Sequence, residues 1–121
     1  MSTLRVNSLL NAAGTDTPAI DGLAKAWVNF QGTGTVDIRE SFNVSTITDN
    51  GVGDYTVNFS NAMADTNYVF IAQAGNGSSP IQTAGTSYTG AVPTTTNARV
   101  LIDNGGGSPQ DREYVMVAVF R

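Results

Sequence analysis

Residues 24–59, AKAWVNFQGTGTVDIRESFNVSTITDNGVGDYTVNF, alternate apolar and polar side chains in short runs broken by glycine and asparagine. A period of two puts alternate side chains on opposite faces of a strand. No stretch of a dozen residues in the chain carries the 3.6-residue apolar period of a helix. This segment can therefore fold only as short strands joined by tight turns. Ala24, Ala26, Val28 and Phe30 form a core-facing set against Lys25, Trp27, Asn29 and Gln31, although Trp27 is too large to leave fully wet. Val36 and Ile38 mark a half-buried strand over residues 35–39. Phe42 and Val44 read as one face of a strand over 41–47. Ile47 is out of phase with them, which predicts a bulge near Ser45 or Thr46. Asn50-Gly51 lies in the strongest turn signal, residues 49–54, because tight hairpins need positive φ. Tyr55, Val57 and Phe59 then line the inner face of the partner strand.

The rest of the chain continues the pattern. Residues 68–74 and 99–102 read as strands, and 68–74 is apolar on both faces. Residues 75–96 are low in charge and rich in Gly, Ser, Thr and Pro, with a weak strand near 81–88. They form the variable loop region, and Tyr88 is its recognition candidate. Residues 103–109, DNGGGSP, read as a mobile loop. The closing strand, residues 113–120, has Tyr114, Met116, Ala118 and Phe120 on one face and Val115, Val117 and Val119 on the other. A strand apolar on both faces needs cover on both. With no helix to supply it, a second subunit is the expected cover, with Trp27, Val115, Val117 and Val119 at the interface.

Residues 1–22 have a different character from the strands after them. Leu4 and Val6 alternate with polar neighbours, Leu9 and Leu10 add apolar surface, and Pro18 blocks continued ladder pairing. The reading is an extended arm that docks onto a neighbour by strand addition, through Leu4, Val6, Leu9 and Leu10. Residues 23–121 then form a single domain. About seven to nine short strands with frequent turns predict an all-β fold, an antiparallel β-sandwich of jelly-roll-like type.

Composition agrees and narrows the chemistry. The 121 residues are only 13% charged, so the polar surface rests on 15 Thr, 11 Asn and 9 Ser, residues of strands and turns. There is no Cys and no His, which removes thiolate chemistry, disulfides and the commonest general base and metal ligand. Arg5, Lys25, Arg39, Arg99, Arg112 and Arg121 are scattered in a chain of net charge −4, a poor match to a phosphate backbone. No stretch is apolar enough to serve as a secretory leader or to span a bilayer, which fits a protein made in the cytoplasm. The carboxylate pairs Asp37/Glu40 and Asp111/Glu113 read as solvated-surface or subunit-interface charge and not as a glycosidase pair. The Asp49 to Asp54 turn has oxygen ligands for Ca²⁺ but lacks the EF-hand spacing. The expectation is no enzyme, no cofactor and no metal.

The strings Ala24-Lys25-Ala26-Trp27-Val28-Asn29-Phe30, Gly32-Thr33-Gly34-Thr35-Val36 and Ser41-Phe42-Asn43-Val44-Ser45 resemble a β-module that recurs in bacteriophage virion proteins, mostly of tail-fibre type. Ile47-Thr48-Asp49-Asn50-Gly51 and Gly53-Asp54-Tyr55-Thr56-Val57-Asn58-Phe59 continue the likeness in order. Val115-Met116-Val117-Ala118-Val119-Phe120-Arg121 resembles its closing strand, and Ser2-Thr3-Leu4-Arg5-Val6-Asn7 a leader of phage fibre and appendage proteins. The likeness covers residues 24–74 and 113–121 and is weak over 75–112. It implies a homotrimeric structural protein of the virion, with other virion proteins as partners. Two places are implied by it: a short tail fibre or appendage, and a capsid decoration or cement subunit. The chain has no shaft or coiled-coil heptads, which suits the second. Binding of a host glycan or receptor is the alternative reading.

Overall fold

The computed structural model describes residues 2–3, 23–86 and 92–121. Eight strands succeed one another in the chain: β1 (Ala24–Gln31), β2 (Asp37–Phe42), β3 (Val44–Gly51), β4 (Asp54–Phe59), β5 (Val69–Asn76), β6 (Ser79–Thr86), β7 (Asn97–Asp103) and β8 (Tyr114–Phe120). Every pairing is antiparallel, in the order β2-β1-β8-β5-β6-β7-β4-β3. The described residues include no helix. The first half of β6 pairs with β5 (Ala74↔Gln82) and its second half with β7 (Ala84↔Ile102). This strand therefore turns the corner between two four-stranded layers, β2-β1-β8-β5 and β6-β7-β4-β3. The layers stay open between β2 and β3, so the fold is a sandwich and not a closed barrel.

The core lies between the layers, where the alternation predicts it for β1 and β4. Ala26, Val28 and Phe30 from β1 meet Tyr55, Val57 and Phe59 from β4 and Ala98, Val100 and Ile102 from β7, all buried. Phe30 and Tyr55 pack edge to face across the layers at 5.2 Å between ring centres. The bulge foreseen near Ser45 is present: the β3–β4 register shifts between Val44 and Thr46, so Val44 and Ile47 both turn toward the core.

Two sequence expectations change, the first at the corner between β2 and β3. Phe42 and Val44 do not share a face. Asn43 between them has φ 54° and redirects the chain from one layer to the other. Phe42 ends β2 on an outer face, 54% exposed, while Val44 begins β3 in the core. Asparagine tolerates the left-handed region better than other non-glycine residues. Its side chain also fixes the corner: Nδ2 donates to the carbonyls of Lys25 (2.9 Å) and Asn61 (3.1 Å), and Oδ1 accepts from the Asn61 N–H (2.7 Å). The second change is at the hairpin tip. The loop is Val52-Gly53, with Gly51 at φ 134° and Gly53 at φ 65°, because Gly51 still pairs with Asp54.

The loop over residues 103–109 is closed by its own hydrogen bonds. Asp103 Oδ1 accepts the Gly105 N–H (2.6 Å), Asn104 Oδ1 accepts that of Gly106 (2.9 Å), and Asn104 N donates to the Ser108 carbonyl (3.1 Å). The chain's last residue is held as well. The Arg121 guanidinium grips both Asp65 oxygens at 2.8 and 2.6 Å and, with the Asn67 N–H, lowers that carboxyl to about 2.

Candidate interaction face

The two layers present different outer surfaces. Paired residues of neighbouring strands lie on the same face of a sheet, so the register defines each row. On β2-β1-β8-β5, Phe42 pairs with Trp27, Trp27 with Ala118, and Ala118 with Ile71. These four make one apolar row across the whole layer. The next row is Glu40, Asn29, Met116 and Gln73. Val69 pairs with Phe120 one row to the other side. Trp27 (38% exposed), Ile71 (56%), Val69 (58%) and Met116 (39%) all face outward. Scattered exposed apolar residues are normal, but a contiguous group on one flat face marks an interaction surface.

Between β8 and β5 this face has a hollow of about 180 Å³ lined by Ile71, Gln73, Met116, Val117 and Ala118. The small Ala118 lines it among larger neighbours. Beyond the apolar row the face becomes polar. The Arg39 guanidinium lies 4.5 Å over the Tyr114 ring and sits 3.4 Å from both Asn29 Oδ1 and Gln31 Oε1.

The opposite layer carries polar rows across β3, β4 and β7. Its rows include Thr46↔Asn58↔Asn97 and Thr48↔Thr56↔Arg99. The Asn58 amide donates to Thr46 Oγ1 (3.1 Å) and Thr48 Oγ1 (3.0 Å), and the Asn50 amide to Thr56 Oγ1 (2.8 Å). Arg99 grips Asp54 with both Nε, 2.6 Å from Oδ1, and Nη2 on Oδ2. This pairing holds the Asp54 carboxyl below its ordinary value and raises Arg99, although burial opposes both shifts. These polar groups satisfy one another along the sheet.

The valines of β8 are a correction. Val115, Val117 and Val119 were expected at a subunit interface. They are 0, 4 and 0% exposed inside the chain's own core. Their registers with Phe30, Val28 and Ala26 turn them inward. The outward members of the strand are Tyr114 and Met116, each 39% exposed, with Ala118 and Phe120 half-buried. Trp27 does lie on the outer face. The closing strand is thus apolar on both sides, as its sequence says, with the two sides exchanged. Leu4, Val6, Leu9, Leu10 and Tyr88 lie outside the described residues.

Three of the carboxylates weighed for catalysis or metal, Asp49, Asp54 and Asp111, have structural partners. Asp54 belongs to Arg99, and Asp49 Oδ1 accepts the Gly51 N–H at 2.9 Å. Asp111, foreseen as surface or interface charge, instead joins three loops. Its Oδ1 accepts the Gly53 N–H (2.8 Å) and lies 2.6 Å from the Tyr55 hydroxyl, which is also 2.7 Å from the Gly32 carbonyl oxygen. One phenolic proton is shared between two acceptors. Burial first, and then the Asp111 carboxylate, push the Tyr55 phenol far above its ordinary value. No group of three or more acidic side chains that could hold a metal occurs among the described residues.

Comparisons with protein-family models, with curated proteins and with solved structures found no match. Function must therefore be read from the face itself.

Proposed function

We propose that this chain is a non-enzymatic structural subunit of a bacteriophage particle, a small homotrimeric β-knob that acts by binding. The observation that carries the reading is the contrast between its two layers. One outer face carries an apolar row, Phe42-Trp27-Ala118-Ile71, and the other a self-satisfied Thr/Asn lattice. A subunit whose polar sheet faces water and whose apolar sheet faces another protein has this distribution. The resemblance of residues 24–74 and 113–121 to phage virion modules supplies the setting: the virion, assembled in the host cytoplasm, beside other particle proteins.

Within that setting the chain is either a short tail appendage or a subunit that decorates or cements the capsid. Antibody-labelled electron microscopy of particles made with this chain tests the proposal. Label spread over the head identifies a decoration subunit, and label confined to the tail an appendage. Intact particles without label overturn the reading.

A further inference from the structure

The apolar row is asymmetric along its length. Its β2–β1 half carries two knobs, Phe42 and Trp27, and its β8–β5 half carries the hollow that Ala118 lines. A volume of 180 Å³ is close to the roughly 150 Å³ of an apolar cavity that admits a benzene ring. We propose that Trp27 of one copy seats in the Ile71–Ala118–Met116 hollow of a second copy. This deepens the self-assembly part of the proposed function and rests on it.

Geometry supports a copy of this chain as the occupant. Rotation about an axis parallel to the strands keeps each row at its own level and reverses strand order across the contact. The β2–β1 half of one copy then meets the β8–β5 half of the next. Phe42 falls against the neighbour's Ile71, and Trp27 against the neighbour's Ala118, large against small. The same matching holds for two copies face to face and for three closed in a ring. In the next row, Glu40 falls against the neutral amide of the neighbour's Gln73, a hydrogen-bond donor, and not against another carboxylate.

The projected area lies somewhat below that of the smallest specific interfaces. Four strands ~4.8 Å apart and about seven residues long project to roughly 19 by 23 Å, about 440 Å² per copy. Side-chain relief adds to that projection. The total over two copies then approaches the roughly 1,200 Å² at which specific interfaces begin.

A size swap tests the pairing, with particle mass read by light scattering. The unmodified chain is expected to assemble. Trp27→Ala removes the knob and Ala118→Trp fills the hollow, so each single variant is expected to associate at least about thirty-fold more weakly, the loss typical of a central aromatic anchor. The double variant moves the knob to the other side of the same contact and is expected to regain assembly. Circular dichroism checks that each variant is folded, and Trp27→Ser and Ala118→Phe replace any that is not. Single variants that assemble as well as the parent, or a folded double variant that stays at 12.6 kDa, overturn the pairing and leave self-assembly standing. A parent that stays at 12.6 kDa at every concentration overturns self-assembly, and the pairing with it.

Discussion

Tyr55→Ala is expected to destabilise the domain by about 4 kcal/mol or more, from the 3–5 kcal/mol typical of removing a large buried aromatic, with the hydroxyl's hydrogen bonds lost in addition. The ring is fully buried and packs edge to face on Phe30 from the other layer. Its hydroxyl joins the loop after β1, at Gly32, to the segment before β8, at Asp111. Few small domains have more than 5–15 kcal/mol to lose, so the urea midpoint should fall by a large fraction. Tyr55→Phe separates the two contributions. It keeps the ring and removes only the hydroxyl, at a cost of about 1–3 kcal/mol.

The same tyrosine sets an alkaline limit. Its folded pKa is raised, so the native state holds the phenolic proton more tightly than the unfolded chain does. That stabilisation is complete below the ordinary value of 10.0 and is lost as pH rises beyond it. Tyr55→Phe should therefore lose less stability between pH 7 and the alkaline range than the parent. Part of the remaining loss belongs to Tyr68, whose phenol burial also raises. Equal alkaline losses in the two proteins would show that Tyr55 sets no such limit.

Gly53→Ala is the second large effect. At φ 65° a side chain is strained, by roughly 1–2 kcal/mol for the left-handed region. The added Cβ would also sit 2.5 Å from the Ile102 carbonyl oxygen and 2.7 Å from the Gln110 nitrogen, both backbone atoms that cannot swing aside. Overpacking of this kind costs about 1–3 kcal/mol. The shift would disturb three hydrogen bonds at once: Ile102 N to Gly53 O (2.8 Å), Gln110 N to Ile102 O (3.0 Å) and Gly53 N to Asp111 (2.8 Å). A total loss of about 3–4 kcal/mol is expected by chemical denaturation. Gly34→Ala provides the control: it shares φ 65°, but its Cβ would meet nothing within 4 Å, so only the backbone strain should appear.

Legibility differed between local and distant features. The inward set of β1, the bulge in β3 and the β3–β4 hairpin stem from side-chain period and turn chemistry, which act over a few residues. The faces of β8 did not, because both of its sets are apolar and periodicity has nothing to choose between. The choice is made by register against β1, where Val117 meets Val28. Asn43 interrupts the alternation of Phe42 and Val44, and only its backbone angle reveals the change of layer. The turn signal over residues 49–54 located the hairpin, although Gly51 and Gly53, and not Asn50, supply its positive φ. The Asp111 lock spans 58 residues to Gly53 and 56 to Tyr55, distances over which a single sequence carries no pairing signal. The apolar row was half visible: Trp27 stood out by its size, while its alignment with Phe42, Ala118 and Ile71 exists only in the folded sheet.

Trp27 is the only tryptophan in the chain, so its fluorescence reports on this face alone. Acrylamide quenching of Trp27 across a dilution series shows directly whether another copy covers the outer face of β2-β1-β8-β5. A covered face gives a shielded, blue-shifted indole at high concentration, which becomes quenchable and red-shifted as the protein is diluted and the face opens; this is the expected result. An indole fully quenchable and red-shifted at every concentration would mean that no copy covers the face, and would contradict the proposed self-assembly.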